Sequence, residues 1–319
     1  RSRELTMRLL TKKTNINFLG ATRRKIALAI SAIVVIASLL SLFMRGLDFG
    51  IDFTGGILLE VGYQEAANLE SIRGNLAAAG LDDAQVQLFG SDTDVLVRLP
   101  PQDGVDPDDL REQLRSTVAV GTSGVDLRRV EFVSPQVGKD LTERGGLAMI
   151  IALLLIFVYV MIRFQWKFAA GAVAALVHDV IVTVGFFAVF DLPFDLTVVA
   201  AVLAVIGYSL NDTIVLFDRI RENFPRYRKR EPIEVVNSSI NEVLSRTIMT
   251  STTTLLVLVA LFYFGGEIIH GFAFTLIIGV LIGTYSSIYV ASTALLTLGV
   301  SKQDLMVVEK EGAQLDVRP

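Results

Sequence analysis

Long apolar blocks separated by short polar turns set the pattern of this chain, and one long polar stretch, residues 44–144, interrupts them. The first block is IALAISAIVVIASLLSLF at 26–43. Behind the polar stretch come blocks at about 145–163, 168–190, 195–218, 246–264 and 272–298. Each approaches the ~20 mostly apolar residues that a helix needs to cross a bilayer. The pattern predicts six membrane-spanning helices: one ahead of the polar stretch and a tightly connected five-helix bundle over 145–299. A secretory signal peptide shares the basic flank of the first block, but this apolar run is longer than a usual signal core. No small-x-small cleavage site follows it, so it reads as an uncleaved span.

Within the polar stretch the period changes. ILLEVGY (57–63), AQVQLFG (84–90), DVLVRLP (94–100) and LRRVEFV (127–133) read as strands. NLESIRGNLAAAG (68–80) is a helix closed by Gly80, and PDDLREQLRSTV (107–118) a second, with Pro107 at its start and acids in its first turn. The order β-α-β-β-α-β is that of a ferredoxin-like fold. The expected architecture is therefore an all-α six-helix membrane bundle with an α+β, ferredoxin-like extracytoplasmic domain between helices 1 and 2. PIEVVNSSINEVLS (232–245), with Pro232 at its first position, reads as a separate interfacial helix.

Composition agrees with the membrane reading: 52% of residues are hydrophobic and the mean hydropathy is +0.56. A net charge of −4 is too small to point to nucleic acid. Without cysteine there are no disulfides and no thiolate chemistry, and His178 and His270 are the only histidines, so neither a metal site nor a cofactor is expected. Uneven charge sets the orientation. Residues 1–25 carry Arg1, Arg3, Arg8, Lys12, Lys13, Arg23, Arg24 and Lys25 against Glu4 alone, and RIRENFPRYRKREP (219–232) is the most basic loop. By the positive-inside rule both lie in the cytoplasm. The acid-rich stretch 44–144 is then outside, and the polar tail 300–319 inside.

Polar groups inside the spans are the candidate chemistry. DLTVVAAVLAVIGYSLNDTIVLFDRIREN (195–223) could span a bilayer, yet it carries Asp212 beside Asn211. An acid at depth costs about 2.5–3.5 kcal/mol on insertion scales. Tyr208, Ser209 and Asp212 fall on one helix face by spacing. On the fifth span Arg246 enters from the same side, followed by Thr247, Thr250, Ser251 and Thr254, which can bridge water. Asp212 and Arg246 read either as a static salt bridge between helices or as a proton relay. His178 and Asp179 on the third span are sequence neighbours and point in different directions; they can ligate an ion, polarise a neighbouring helix or only pack, and packing is the expectation. Gly279 and Gly283 form a GxxxG pair suited to close helix contact. No catalytic constellation appears, so an enzyme is not expected.

LDFGIDFTGG (47–56), FVSPQVGKDL (132–141), the HD pair, IGYSLNDTIVLFDRIREN (206–223) and SRTIMTSTTTLL (245–256) together resemble the SecF family. That family belongs to the bacterial SecD–SecF protein-export complex, within the resistance-nodulation-division superfamily. The resemblance covers nearly the whole chain. It implies six spans forming half of a pseudo-twofold core with SecD, as a separate or fused chain, in the bacterial cytoplasmic membrane with both termini inside. It implies use of the proton gradient in late preprotein translocation and release, after the SecYEG channel and the SecA motor have engaged the preprotein. YajC and the unfolded preprotein at the outer face are further implied partners. The residues the family ties to proton transport, the Asp of YSxND and the Arg of SRT, fall on Asp212 and Arg246. A carboxylate among hydroxyls also suits Na+ as the coupling ion. Two other classes remain: a proton-coupled exporter of drugs or lipids from the same superfamily, and a passive translocon scaffold.

Overall fold

The computed structural model describes residues 15–102, 105–120, 125–227 and 229–301. The basic segment before residue 15 and the tail from 302 lie outside the described residues.

Six helices are long and apolar enough to cross a membrane. The first, α1 (Ala21–Met44), leads into a short strand β1 (Asp48–Phe49) and a single turn α2 (Ile51–Thr54). The α+β unit follows: β2 (Gly56–Gly62), α3 (Leu69–Ala78), β3 (Gln85–Phe89), β4 (Ser91–Leu99), α4 (Pro107–Val118) and β5 (Asp126–Val133). The sheet runs β3-β4-β2-β5, and every neighbouring pair is antiparallel. Strand alternation divides its side chains. Ile57, Leu59, Val61, Val95, Val97 and Leu99 pack under Ile72, Leu76, Leu110 and Leu114 of the two helices. Leu58 and Leu96 face the other way and form a smaller cluster with Ile51. Asn68 and Asp106 cap the two helices, accepting from the backbone N–H of Ser71 and Asp108.

Several expected boundaries move. The α+β unit ends at Val133, not 144, because α5 (Pro135–Arg163) begins directly behind it. Ser134 accepts from the Val137 N–H and Pro135 occupies the first turn, so the helix starts well before the apolar block. After α6 (Trp166–Phe190) and the two-residue β6 (Pro193–Phe194), α7 (Leu196–Arg226) runs two turns past the apolar limit at 218. The interfacial helix and the fifth span are one helix, α8 (Pro232–Phe264); nothing after Pro232 in that run is a glycine or proline, so nothing breaks it. The sixth span is α9 (Glu267–Ser286), a π-helical stretch (Ser287–Ala291) and α10 (Ser292–Thr297).

The bundle core lies between α6, α7 and the sixth span, around Phe168, Leu176, Phe217, Ile220, Ala291 and Leu295. α1, α5 and α8 present mostly exposed apolar surface. Asn237 and Asn241 at the start of α8 hold the backbone of Ile16 and Phe18. The segment before α1 and the loop before α8 therefore share one end of the bundle.

At the opposite end the α+β unit is seated on the bundle by the linker. β1 pairs in parallel with β6, Asp48 with Pro193 and Phe49 with Phe194. The Gly50 N–H donates to the Phe194 carbonyl, and Asp52 accepts from the Leu196 N–H at 2.9 Å. Arg98 of β4 reaches Asp48 at 2.8 Å. Gly55 and Gly56 both have positive φ, 74° and 115°, and a Cβ on Gly56 would lie 2.2 Å from the Leu99 carbonyl oxygen. Only glycine fits that crossing from linker to strand.

Candidate functional site

The buried face of α7 runs Val198, Val202, Val205, Ser209, Asp212, Leu216 and Ile220, spaced at three and four residues. A carboxylate therefore takes a position that the helix period assigns to the core. Asp212 is 5% exposed, and its Oδ2 has no hydrogen-bond partner. It opens on a cavity of about 10 Å³ lined by Leu216, Ile240, Leu244, Thr247, Ser287 and Ile288. That is on the order of one water molecule.

Arg246 is not its ion-pair partner here. The guanidinium side of α8 is exposed, and among the described residues no ion pair joins it to Asp212. Its charge is near enough to act on the carboxylate. Thr247, one residue on, is the polar side chain that α8 adds to the cavity beside Ile240 and Leu244. Asn211 is exposed, turned away from the cavity.

The face predicted for Tyr208, Ser209 and Asp212 divides. Tyr208 turns toward α8, its hydroxyl 3.4 Å from Ser251, which in turn meets Thr284 of α9 at 2.7 Å. Ser209 turns toward α6 and donates to Asp179 Oδ2 at 2.5 Å. The threonines of α8 divide too. Thr247 and Ser251 are buried, while Thr250 donates back to the carbonyls of Arg246 and Thr247 on its own helix.

The third-span pair is buried and hydrogen-bonded. Asp179 is 1% exposed and accepts from Ser209 and from Ser286, the latter at 2.7 Å. His178 Nδ1 lies 2.9 Å from Asp179 Oδ1 despite being the adjacent residue. Spacing on a helix wheel missed this, because it describes where Cβ atoms point and not where side chains bend.

Sequence reasoning also missed the partners on the sixth span. Ser286 holds Asp179, Ser287 meets Thr213 at 2.8 Å and lines the Asp212 cavity, and both sit where α-helix gives way to π-helix. The Ser-Ser pair inside an apolar run was the available signal. The GxxxG pair explains the close fit there: a Cβ on Gly279 would lie 2.1 Å from Val205, and one on Gly283 2.9 Å from Ser209. Pi-bulges recur at functional sites. Among the described residues no cluster of His, Asp or Glu has metal-ligand geometry.

Residues 114–301 match the family described as protein export membrane protein SecD/SecF, C-terminal, and residues 40–67 match the SecD/SecF GG motif. The protein translocase subunit SecF of Vibrio alginolyticus is 53% identical over 298 residues, covering 92% of this chain and 95% of that one. The SecF subunit of Pseudomonas aeruginosa is 47% identical, covering 95% and 98%. A crystal structure of SecDF, a translocon-associated membrane protein from Thermus thermophilus, superposes with a TM-score of 0.80 at 34% identity over 89% of this chain. A structure of SecDF in a super-membrane-facing form gives 0.64 at the same identity and coverage. This chain spans 39% of the length of either SecDF chain.

Proposed function

The chain belongs to the SecF family, the multi-pass membrane subunits of Sec protein export, and on that premise we propose that Asp212 takes up and releases the proton that drives its cycle. The observation that carries this reading is the buried Asp212 oxygen without a partner, facing a water-sized space in the middle of a membrane helix. A carboxylate so placed changes its interactions when it changes its charge, and a helix can follow that change. Arg246 is the electrostatic control: it is close enough to influence Asp212 and is not locked to it. Thr247 and Ser287 carry the proton between the cavity and the helix surfaces, with no metal or cofactor taking part.

The movement reaches the α+β unit through the N-terminal end of α7, which Asp52 and the β1–β6 pair tie to the linker. We read that unit as ferredoxin-like and as the part that meets an unfolded preprotein on the outer face; its β3-β4-β2-β5 order supports the first point. SecD is the partner that completes a pseudo-twofold core, with SecYEG and YajC beside it. Both termini lie in the cytoplasm, which the basic segments favour.

The test is gradient-driven preprotein export from membrane vesicles containing SecD and the Asp212→Asn variant. The amide keeps the shape and cannot release a proton, so assembly with SecD persists and the gradient-dependent part of export is lost. Arg246→Ala fails in the same assay. Wild-type export by Asp212→Asn under an imposed proton gradient would leave the pair structural and the chain a scaffold. Stimulation by a sodium gradient alone would replace the proton by Na+.

A further inference from the structure

We propose that Asp179, held by His178, is a second proton-exchanging carboxylate, in series with Asp212 and one helical turn nearer the outer face. This rests on the proton reading of Asp212 and extends it to a path. Asp179 is eleven residues from the end of α6 at Phe190, and its partner Ser209 stands one turn before Asp212 on α7. α6 and α7 are joined by the turn that seats the α+β unit, so the end of α6 and the start of α7 lie on the same side. A proton coming from that side meets Asp179 first.

Three observations support the path. Asp179 is the most deeply buried acid among the described residues, yet all its contacts are exchangeable: two hydroxyls on Oδ2 and an imidazole nitrogen on Oδ1. A group meant only to fasten helices has no need of an imidazole, whose two ring nitrogens can donate and accept hydrogen bonds. Second, the hydroxyls continue toward Asp212. Ser286 holds Asp179, and the next residue, Ser287, lines the Asp212 cavity and meets Thr213. The π-helical stretch beginning at Ser287 brings successive serines to face the two acids. Third, Thr183, one turn outward from Asp179 on α6, is fully buried and its hydroxyl has no partner. An orphaned hydroxyl in an apolar helix asks for a hydrogen-bonding guest, and here it extends the polar line outward.

The groups facing Asp179 are few. α7 supplies Ser209 and, a turn away, Asp212. The sixth span supplies Ser286 and Tyr285, whose ring lies 6.4 Å from that of His178 and whose hydroxyl donates to the Ala27 carbonyl. α1 brings only the hydroxyls of Ser31 and Ser38, and α5 carries no charged residue between Arg144 and Arg163. Among the described residues no lysine or arginine is paired with Asp179, and His178 is the basic side chain in contact with it. Transfer moves one proton along this line: an acidic Asp179 gives its proton through Ser209 or the Ser286–Ser287 pair to Asp212 and is reprotonated from the outer side.

The experiment is infrared titration of the carboxyl C=O stretch in the full chain in lipid nanodiscs, with export measured on the same variants in vesicles with SecD. Subtracting Asp179→Asn from wild type should isolate one titrating carboxyl band, and subtracting Asp212→Asn a second. His178→Gln should move the pH at which the Asp179 band titrates. Gradient-driven export should fall about tenfold or more in Asp179→Asn. Asp179→Glu, which keeps an exchangeable proton in a strained position, should retain more than the amide. A purely structural role reverses that order, because Asn fits the hydrogen bonds and Glu overpacks the site. An Asp212 band with no Asp179 band, an unmoved band in His178→Gln, or better export by Asn than by Glu overturns the inference and leaves Asp212 standing. Absence of the Asp212 band overturns the reading on which it rests.

Discussion

Single residues in this protein are held to narrow requirements where the chain changes direction. Gly56 is the sharpest case, with φ of 115° and its neighbour's carbonyl oxygen where a Cβ would go. Gly56→Ala should destabilise the seating of β2 by about 2–4 kcal/mol, combining backbone strain with a clash that no side-chain rotation relieves. Loss of thermal stability of the whole chain in detergent checks this. Tyr63 makes a quieter demand. Its hydroxyl donates to the Val118 carbonyl at 3.1 Å, and burial raises its proton affinity above the usual value of 10.0. The unfolded tyrosine ionises first, so its contribution is whole below about pH 10 and is lost as pH rises through the folded value. Tyr63→Phe should cost about 1 kcal/mol at neutral pH and flatten the decline in stability above pH 10 relative to wild type.

The elements were legible where their period is long and clean. Six apolar blocks and the four strands around the Val-rich core could be read directly, because burial follows those spacings. Their ends could not. The polar first half of α8 looks unlike its second, yet helix continuity depends on the absence of breakers and not on hydropathy. β1 and β6 are two residues each, too short for any periodic signal, and they exist only because two distant segments meet. The same holds inside the membrane: Asp212 stood out as a lone acid, whereas the Asp179 cluster needed three helices packed together before it became visible. The end of α7 shows what the short elements do. Asp52 from the linker and Asp195 from the helix's own cap both accept backbone N–H groups there. Asp52→Ala removes the tie to the α7 backbone and leaves the β1–β6 pair and the intrinsic cap. On the proposed proton reading, export should fall severalfold with Asp212 still exchanging its proton, because the coupling of α7 to the α+β unit is loosened. Unchanged export would show that the linker is only a tether.

At the scale of the molecule, one side of the bundle is unfinished. Ala200, Ala204, Gly207 and Asn211 form an exposed stripe of small residues along α7, and a Cβ on Gly207 meets nothing within 4 Å. Small residues allow close approach of another helix. Asp212 is the next residue after the stripe but faces the bundle interior, so a partner on this stripe packs against the turn of α7 that carries it. Gly207→Cys should form a disulfide with a cysteine placed on the facing SecD helix; cross-linking from α5 positions such as Ile150 and not from 207 would put SecD on the wrong side of this reading.

The parallel pair that seats the α+β unit has a consequence for how the protein is made. Asp52 and Leu196 are 144 residues apart, and β6 emerges only after the third span has been synthesised. The α+β unit has all its strands well before then, so it folds while the surface on which it will rest does not yet exist. For that interval it hangs between two spans, free to turn. A nascent chain stalled before residue 190 should therefore leave the linker at 47–56 open to a protease on the side of the α+β unit, and one extended well past the end of α7 at Arg226 should shield it. Docking of the domain thus marks the moment when the third and fourth spans are in place, a built-in checkpoint of membrane insertion.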